Sequence, residues 1–175
     1  MESPLAVMIL LIGTILVALV AFAFSSVYSS YVANNAYISN FAESVSEGLY
    51  ITKSTVASSG PTYSVVIVPE DFNYNGTIYL TAVNTTPVLY GSDVVAPNLG
   101  DFDVKINGTI PAFTNNVILY STSLHELYQG SIPLWKSTVG APQTITIPVK
   151  SDAVVFIFIQ TPKGLVEVGY VWLED

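Results

Sequence analysis

Residues 4–24 read PLAVMILLIGTILVALVAFAF, and after Glu2 no charged side chain occurs until Glu43. A core helix of a soluble protein keeps a polar face at a 3.6-residue period. This run has none. At 1.5 Å per residue, about 20 residues cross the ~30 Å hydrocarbon layer of a bilayer. The segment must therefore sit in lipid, be cleaved off, or pack against copies of itself.

A secretory signal combines a basic n-region, a short apolar region and a small-residue cleavage site. Here the n-region is Met1-Glu2-Ser3, without Lys or Arg, and Phe22 and Phe24 flank the small residues Ala21 and Ala23. The run is also longer than a signal's apolar region. An anchor fits better, although it lacks the cationic flank that sets orientation.

The helical pattern continues past the apolar run. Residues 25–47 contain no proline or glycine before Gly48. Tyr31, Ile38, Ala42, Val45 and Leu49 recur on one helical face, as an amphipathic helix requires. Ser3 suits the N-cap and Pro4 the first helical position. Gly48 is the expected stop, through a left-handed conformation. One helix from Pro4 to Glu47 would be on the order of 65 Å long. Ser25, Ser26, Ser29, Ser30, Asn34 and Asn35 mark its change from apolar to amphipathic. Gly13 is its one flexible point.

After Gly48 the helical period gives way to short β-branched and aromatic runs between turn residues. Strands are predicted near 50–57, 62–68, 77–83, 86–90, 102–107, 117–121, 143–149, 153–160 and 165–173. Phe102, Val104 and Ile106 alternate with Asp101, Asp103 and Lys105, which gives a strand one wet face. Residues Val154 to Ile159 are apolar on both faces and predict a central strand, joined to the next through Pro162-Lys163-Gly164. Residues 122–140 read as a loop or short helical turn. About eight strands at this spacing imply a two-sheet sandwich. The predicted class is α+β: residues 1–48 form an apolar-to-amphipathic helix, and residues 49–175 a β-sandwich domain.

Chemistry is sparse. Thirteen acids face five lysines, for a net charge of −8. With no arginine, this argues against a nucleic-acid partner. Cysteine is absent and His125 is the one histidine, so the common zinc and copper sites cannot be assembled from one chain. No G-x-S-x-G elbow accompanies His125, and it reads as a surface or loop residue. Asp101 and Asp103, with Asp93 nearby, read as a solvated strand face before a calcium site. Glu70-Asp71 reads as a turn. No cofactor fingerprint occurs, and no enzymatic activity is expected. Charged residues are only 10% of the chain, and so uncharged a surface suits a cell exterior, where glycans supply solubility. The sequons Asn75-Gly76-Thr77, Asn84-Thr85-Thr86 and Asn107-Gly108-Thr109 all follow the helix. Asn75, Asn84 and Asn107 are thus candidate N-glycosylation sites, although Asn-Gly also serves as a hairpin turn.

Ser3-Pro4, the charge-free helix to Phe24 and the β-rich domain beyond it together resemble mature archaeal type IV pilins. The likeness covers about the first 45 residues and the domain layout. Archaellins, the motility-filament subunits, share this plan. The resemblance implies that a basic leader ahead of Met1 has been removed by a class III signal peptidase. It implies a subunit held in the cytoplasmic membrane by its helix before assembly. An assembly ATPase and platform would then move that helix into the core of an extracellular helical homopolymer of identical subunits. Pro4, Leu5, Met8, Leu11, Gly13, Ile15, Leu16, Val20 and Phe24 are the candidate polymerisation residues. The small residues Gly13, Ala18, Ala21 and Ala23 permit close helix packing. Low charge and abundant Ser, Thr and Tyr favour an adhesive pilus over a motility filament. The rival reading is a monomeric, membrane-anchored, sugar-binding β-sandwich module.

Overall fold

In the computed structural model, residues 3–85, 103–148 and 152–173 are described. One unbroken helix among the described residues, α1, runs from Pro4 to Gly48. Its first turn is closed by the Ser3 carbonyl, which accepts the Ala6 and Val7 amides at 2.9 and 3.4 Å. Ser3 is thus in the expected N-cap position. The chain divides into two compact units between Tyr37 and Ile38, inside α1.

The end of α1 corrects one expectation. Gly48 closes the helix, but it is not among the left-handed glycines. A Cβ at Gly48 would lie 2.7 Å from Asp71 Oδ1 and 2.8 Å from Asn73 Nδ2. Glycine is needed there for close approach. The same loop ties down the helix end, because Asn73 Nδ2 donates to the Ser44 carbonyl at 2.7 Å and the Phe72 amide to the Gly48 carbonyl at 3.2 Å.

The second unit, Ile38–Asp175, holds two sheets. One contains β1 (Leu49–Lys53), β2 (Ala57–Ser59), β3 (Thr62–Asp71), β5 (Lys105–Ile106) and β9 (Gln143–Pro148). Its order is β1-β3-β9-β5, with β2 also on β3. The other contains β4 (Thr77–Thr85), β6 (Phe113–Tyr120), β7 (Glu126–Pro133), β8 (Trp135–Thr138), β10 (Asp152–Thr161) and β11 (Gly164–Leu173). Its order is β7-β6-β11-β10-β4-β8. Pairing is antiparallel except between β11 and β6.

The main core lies between the sheets. Tyr63, Val65 and Ile67 of β3 and Ile145 and Ile147 of β9 meet Ile78 and Leu80 of β4 and Val155, Ile157 and Ile159 of β10. Ala42 and Val45 of α1 join this cluster, and Ile38 is also buried. The helical face read from the sequence therefore holds from Ile38 to Leu49, whereas Tyr31 is exposed. Phe41 meets Tyr74 edge-on at 6.0 Å. On the other face of the larger sheet, Val154, Phe156 and Phe158 of β10 pack with Val117 and Leu119 of β6 and Ile132 of β7. β10 is buried on both faces, as a central strand with two hydrophobic neighbours requires. The α+β class holds, with a long apolar helix preceding a sandwich-like β unit.

Three elements depart from the sequence reading, the first being the 50–57 strand, which breaks at residues 54–56 into β1 and β2. Residues 122–140, expected as loop or helical turn, hold β7 and β8. The 102–107 strand contracts to Lys105–Ile106, although Val104 and Ile106 are buried and Asp103 and Lys105 exposed as the alternation requires. The strand expected at 86–90, and Asp93, Asp101, Phe102 and Val149, lie outside the described residues.

Candidate functional site

The apolar segment of α1 is long and apolar enough to cross a membrane. Every residue from Ser3 to Asn34 is exposed in the single chain. Pro4, Leu5, Met8, Leu11, Gly13, Ile15, Leu16, Val20 and Phe24 all belong to this surface; Leu16, near the middle, is 57% exposed. Burial does not single these residues out, because Ile9, Leu10, Ile12, Val17, Leu19 and Phe22 are equally open. The apolar surface runs all round the helix.

Within the apolar run from Pro4 to Phe24 one polar side chain, Thr14, interrupts this surface. Its hydroxyl donates to the Leu10 carbonyl one turn back, so the donor is satisfied within the helix. Ser30 does the same to Ser26, at 3.0 Å. A Cβ at Gly13 would meet nothing within 4 Å. The glycine therefore serves no contact inside the chain and leaves an open notch on the helix surface.

The three sequon asparagines have different surroundings. Asn75 is exposed, and its side chain has no hydrogen bond among the described residues. It follows a turn in which Asp71 Oδ1 accepts the amides of Asn73 and Tyr74 at 2.7 and 2.8 Å. Asn84 is half-buried on β4, with Nδ2 3.4 Å from Asp103 Oδ2; Thr86 of its sequon is outside the described residues. Asn107 takes a left-handed φ of 50°. Its Nδ2 donates to Gln143 Oε1 and its Oδ1 accepts the Thr144 amide, both at 2.9 Å. Asn-Gly at this position thus forms a turn, and the amide a glycan would use is already engaged.

Gln143 is the hub of that network. It is buried, accepts Trp135 Nε1–H at 2.9 Å, and donates to Ser137 Oγ and the Ala141 carbonyl at 2.8 and 3.1 Å. Nothing in the sequence marked Gln143, because a lone glutamine in an alternating strand reads as a solvent-facing residue.

The titratable groups form no reactive constellation among the described residues, and no group of three metal-ligating side chains occurs there. His125 is exposed in the β6–β7 turn, where its amide donates to Ser121 Oγ at 3.1 Å and Nδ1 lies 3.4 Å from Ser123 Oγ. Glu167, on β11 opposite Phe158, is the exception in its environment. Burial pushes its carboxyl up to about 8, and Oε2 has no hydrogen-bond partner among the described residues. A cavity of about 450 Å³ opens elsewhere on the β unit, beside the β10–β11 turn.

No protein-family model, curated protein or solved structure matches this chain.

Proposed function

We propose that this chain is a structural subunit of an extracellular helical filament, of the archaeal type IV adhesive pilus kind, and that it polymerises through α1. One observation carries the reading. A helix that is apolar on every side from Pro4 to Phe24 and exposed from Ser3 to Asn34 belongs to the same chain as a β unit with its own core. Such a surface must be removed from water, and two environments do so: a bilayer before assembly and a bundle of identical helices after it. Association inside an apolar medium relies on packing and on satisfied polar groups. The Gly13 notch and the internally bonded Thr14 meet both needs. Repetition of a heterologous helix contact that does not close on itself builds an open filament. The β units would then coat the outside. The exposed and unbonded Asn75 is the sequon best placed to carry a glycan there.

Electron microscopy of material sheared from cells tests the proposal. The expected result is thin filaments that contain this chain. Recovery only as a detergent-soluble monomer would overturn it and leave a membrane-anchored module. Leu16→Lys gives a second reading. A charge at the centre of an apolar helix costs about 2.5–3.5 kcal/mol or more, so the variant should yield no filaments while the β unit stays folded. Normal filaments from it would exclude a core built from this helix.

A further inference from the structure

The cavity beside the β10–β11 turn has features that the packing of the β unit does not require. At about 450 Å³ it falls in the roughly 300–1,000 Å³ range of small-molecule sites. One wall is a β-bulge. β6 pairs Thr114 with Ile132 and then Val117 with Gly130, so Asn115 and Asn116 together oppose Ser131. Bulges re-aim side chains next to binding sites. Asn116 holds a left-handed φ of 55°, a conformation that costs a non-glycine residue free energy and concentrates at functional positions.

The lining divides by chemistry. Leu134, Leu165 and the Tyr79 side chain supply apolar and aromatic surface. Asn115, Asn116 and Gln160 supply amides. Asn115 Oδ1 is held by the Ser131 hydroxyl at 2.8 Å, and Gln160 Nε2 by the Thr161 carbonyl at 3.1 Å. The Asn116 side chain has no hydrogen bond among the described residues and is exposed at the cavity. Fixed amides beside an aromatic and aliphatic surface suit a ring with hydroxyls at its edge and C–H groups on its face.

The charge pattern narrows the ligand. Among the described residues no carboxylate lines the cavity. The one described cation in its lining, Lys163, is committed elsewhere: Nζ donates to the Leu124 carbonyl at 3.3 Å and lies 4.8 Å from the centre of the Tyr120 ring. A ligand anion would have to pull it from both.

From this geometry we infer that the cavity is a binding site for the end of a short, neutral saccharide chain. Asn116 and Gln160 read the hydroxyls, and Tyr79 with Leu165 backs the ring. The site lies wholly on the β unit and holds whether or not the chain polymerises.

The test is saturation-transfer NMR on the full chain in an amine-oxide detergent, since a glycoside detergent would compete. The probes are maltotriose, cellotriose and mannotriose, with trigalacturonic acid as the charged counterpart. Transfer to at least one neutral trisaccharide is expected, with little to trigalacturonic acid. Asn116→Gly, which also relieves the left-handed backbone, and Gln160→Ala, at an exposed position, should each weaken binding by about three- to tenfold while thermal stability is kept. Absence of transfer at millimolar sugar, equal or stronger binding of trigalacturonic acid, or binding unchanged in both folded variants would overturn the inference.

Discussion

Asn107 donates its side-chain amide to Gln143 across 2.9 Å, and the same Gln143 oxygen accepts Trp135 Nε1–H. A turn residue on one sheet and an indole on the other are thus held by one buried amide. Gln143→Ala leaves the indole N–H and the Asn107 amide without this partner and opens space around them. Unmade buried hydrogen bonds cost about 1–3 kcal/mol each. A loss of about 2–4 kcal/mol is expected, read as a lower urea midpoint with an unchanged slope. Ser137→Ala removes a single acceptor at the rim of the network while Gln143 Nε2 keeps the Ala141 carbonyl, and should cost about 1 kcal/mol or less. An unshifted midpoint in Gln143→Ala would show that the network contributes no stability.

The same pair predicts glycan occupancy. If native protein carries N-linked glycans, peptide mapping should find Asn75 occupied in preference to Asn107, whose amide is already bonded. Asn75→Gln should then remove a glycan-sized step from the intact mass. Full occupancy at Asn107 with Asn75 bare would contradict this ordering.

Gly13 separates helix stability from helix assembly. Open space surrounds the place its Cβ would occupy, and leucine is a better helix former by roughly 1 kcal/mol. Gly13→Leu should therefore leave membrane insertion and helicity unchanged or improved. Filament yield should nevertheless fall, because a side chain now fills the notch that a neighbouring helix would use. Circular dichroism in detergent and filament counts by electron microscopy read the two effects separately. Undiminished, unaltered filaments would mean that no neighbour packs at Gly13.

Glu167 predicts a pH dependence with a definite sign. Its folded carboxyl titrates near 8 because burial disfavours the charge, against an ordinary value of 4.5. Between those values the unfolded chain has released the proton and the folded chain retains it. Stability therefore falls as pH rises from about 4.5 to about 8, and the loss is complete above that range. A shift of this size sets an upper bound of about 5 kcal/mol. Thermal melts of the full chain at pH 5 and pH 9 should show the difference, and Glu167→Gln should flatten it. Equal pH dependence in the variant would assign the effect to other groups.

Legibility in the sequence followed burial. Val154–Ile159 declared a central strand because both of its faces are covered. Ile38, Ala42 and Val45 declared a docked helical face because the period survived against a real core. β7 and β8 were missed because they are the two edges of the larger sheet. β7 lacks clean alternation and ends on Pro133, and β8 alternates over only four residues with Trp135 as its one apolar side chain, too short a run to read as a strand. The sequence locates the stop at Gly48 but not its cause, because the crowding by Asp71 and Asn73 comes from residues far along the chain. Of the candidate sites, the apolar helix was visible at once, since exposure of a uniform surface needs no partner to be recognised. The Asn116 bulge, the cavity, the Gln143 hub and the burial of Glu167 were invisible, because each depends on which strands become neighbours.

Thr14 spends its one proton on the carbonyl behind it. The side chains from Leu5 to Phe24 consequently have no free proton to donate. They cannot tell an acyl chain from a leucine by what they say to either. Contour alone is left to choose the company this helix keeps, and for such a surface a change of company breaks no hydrogen bond.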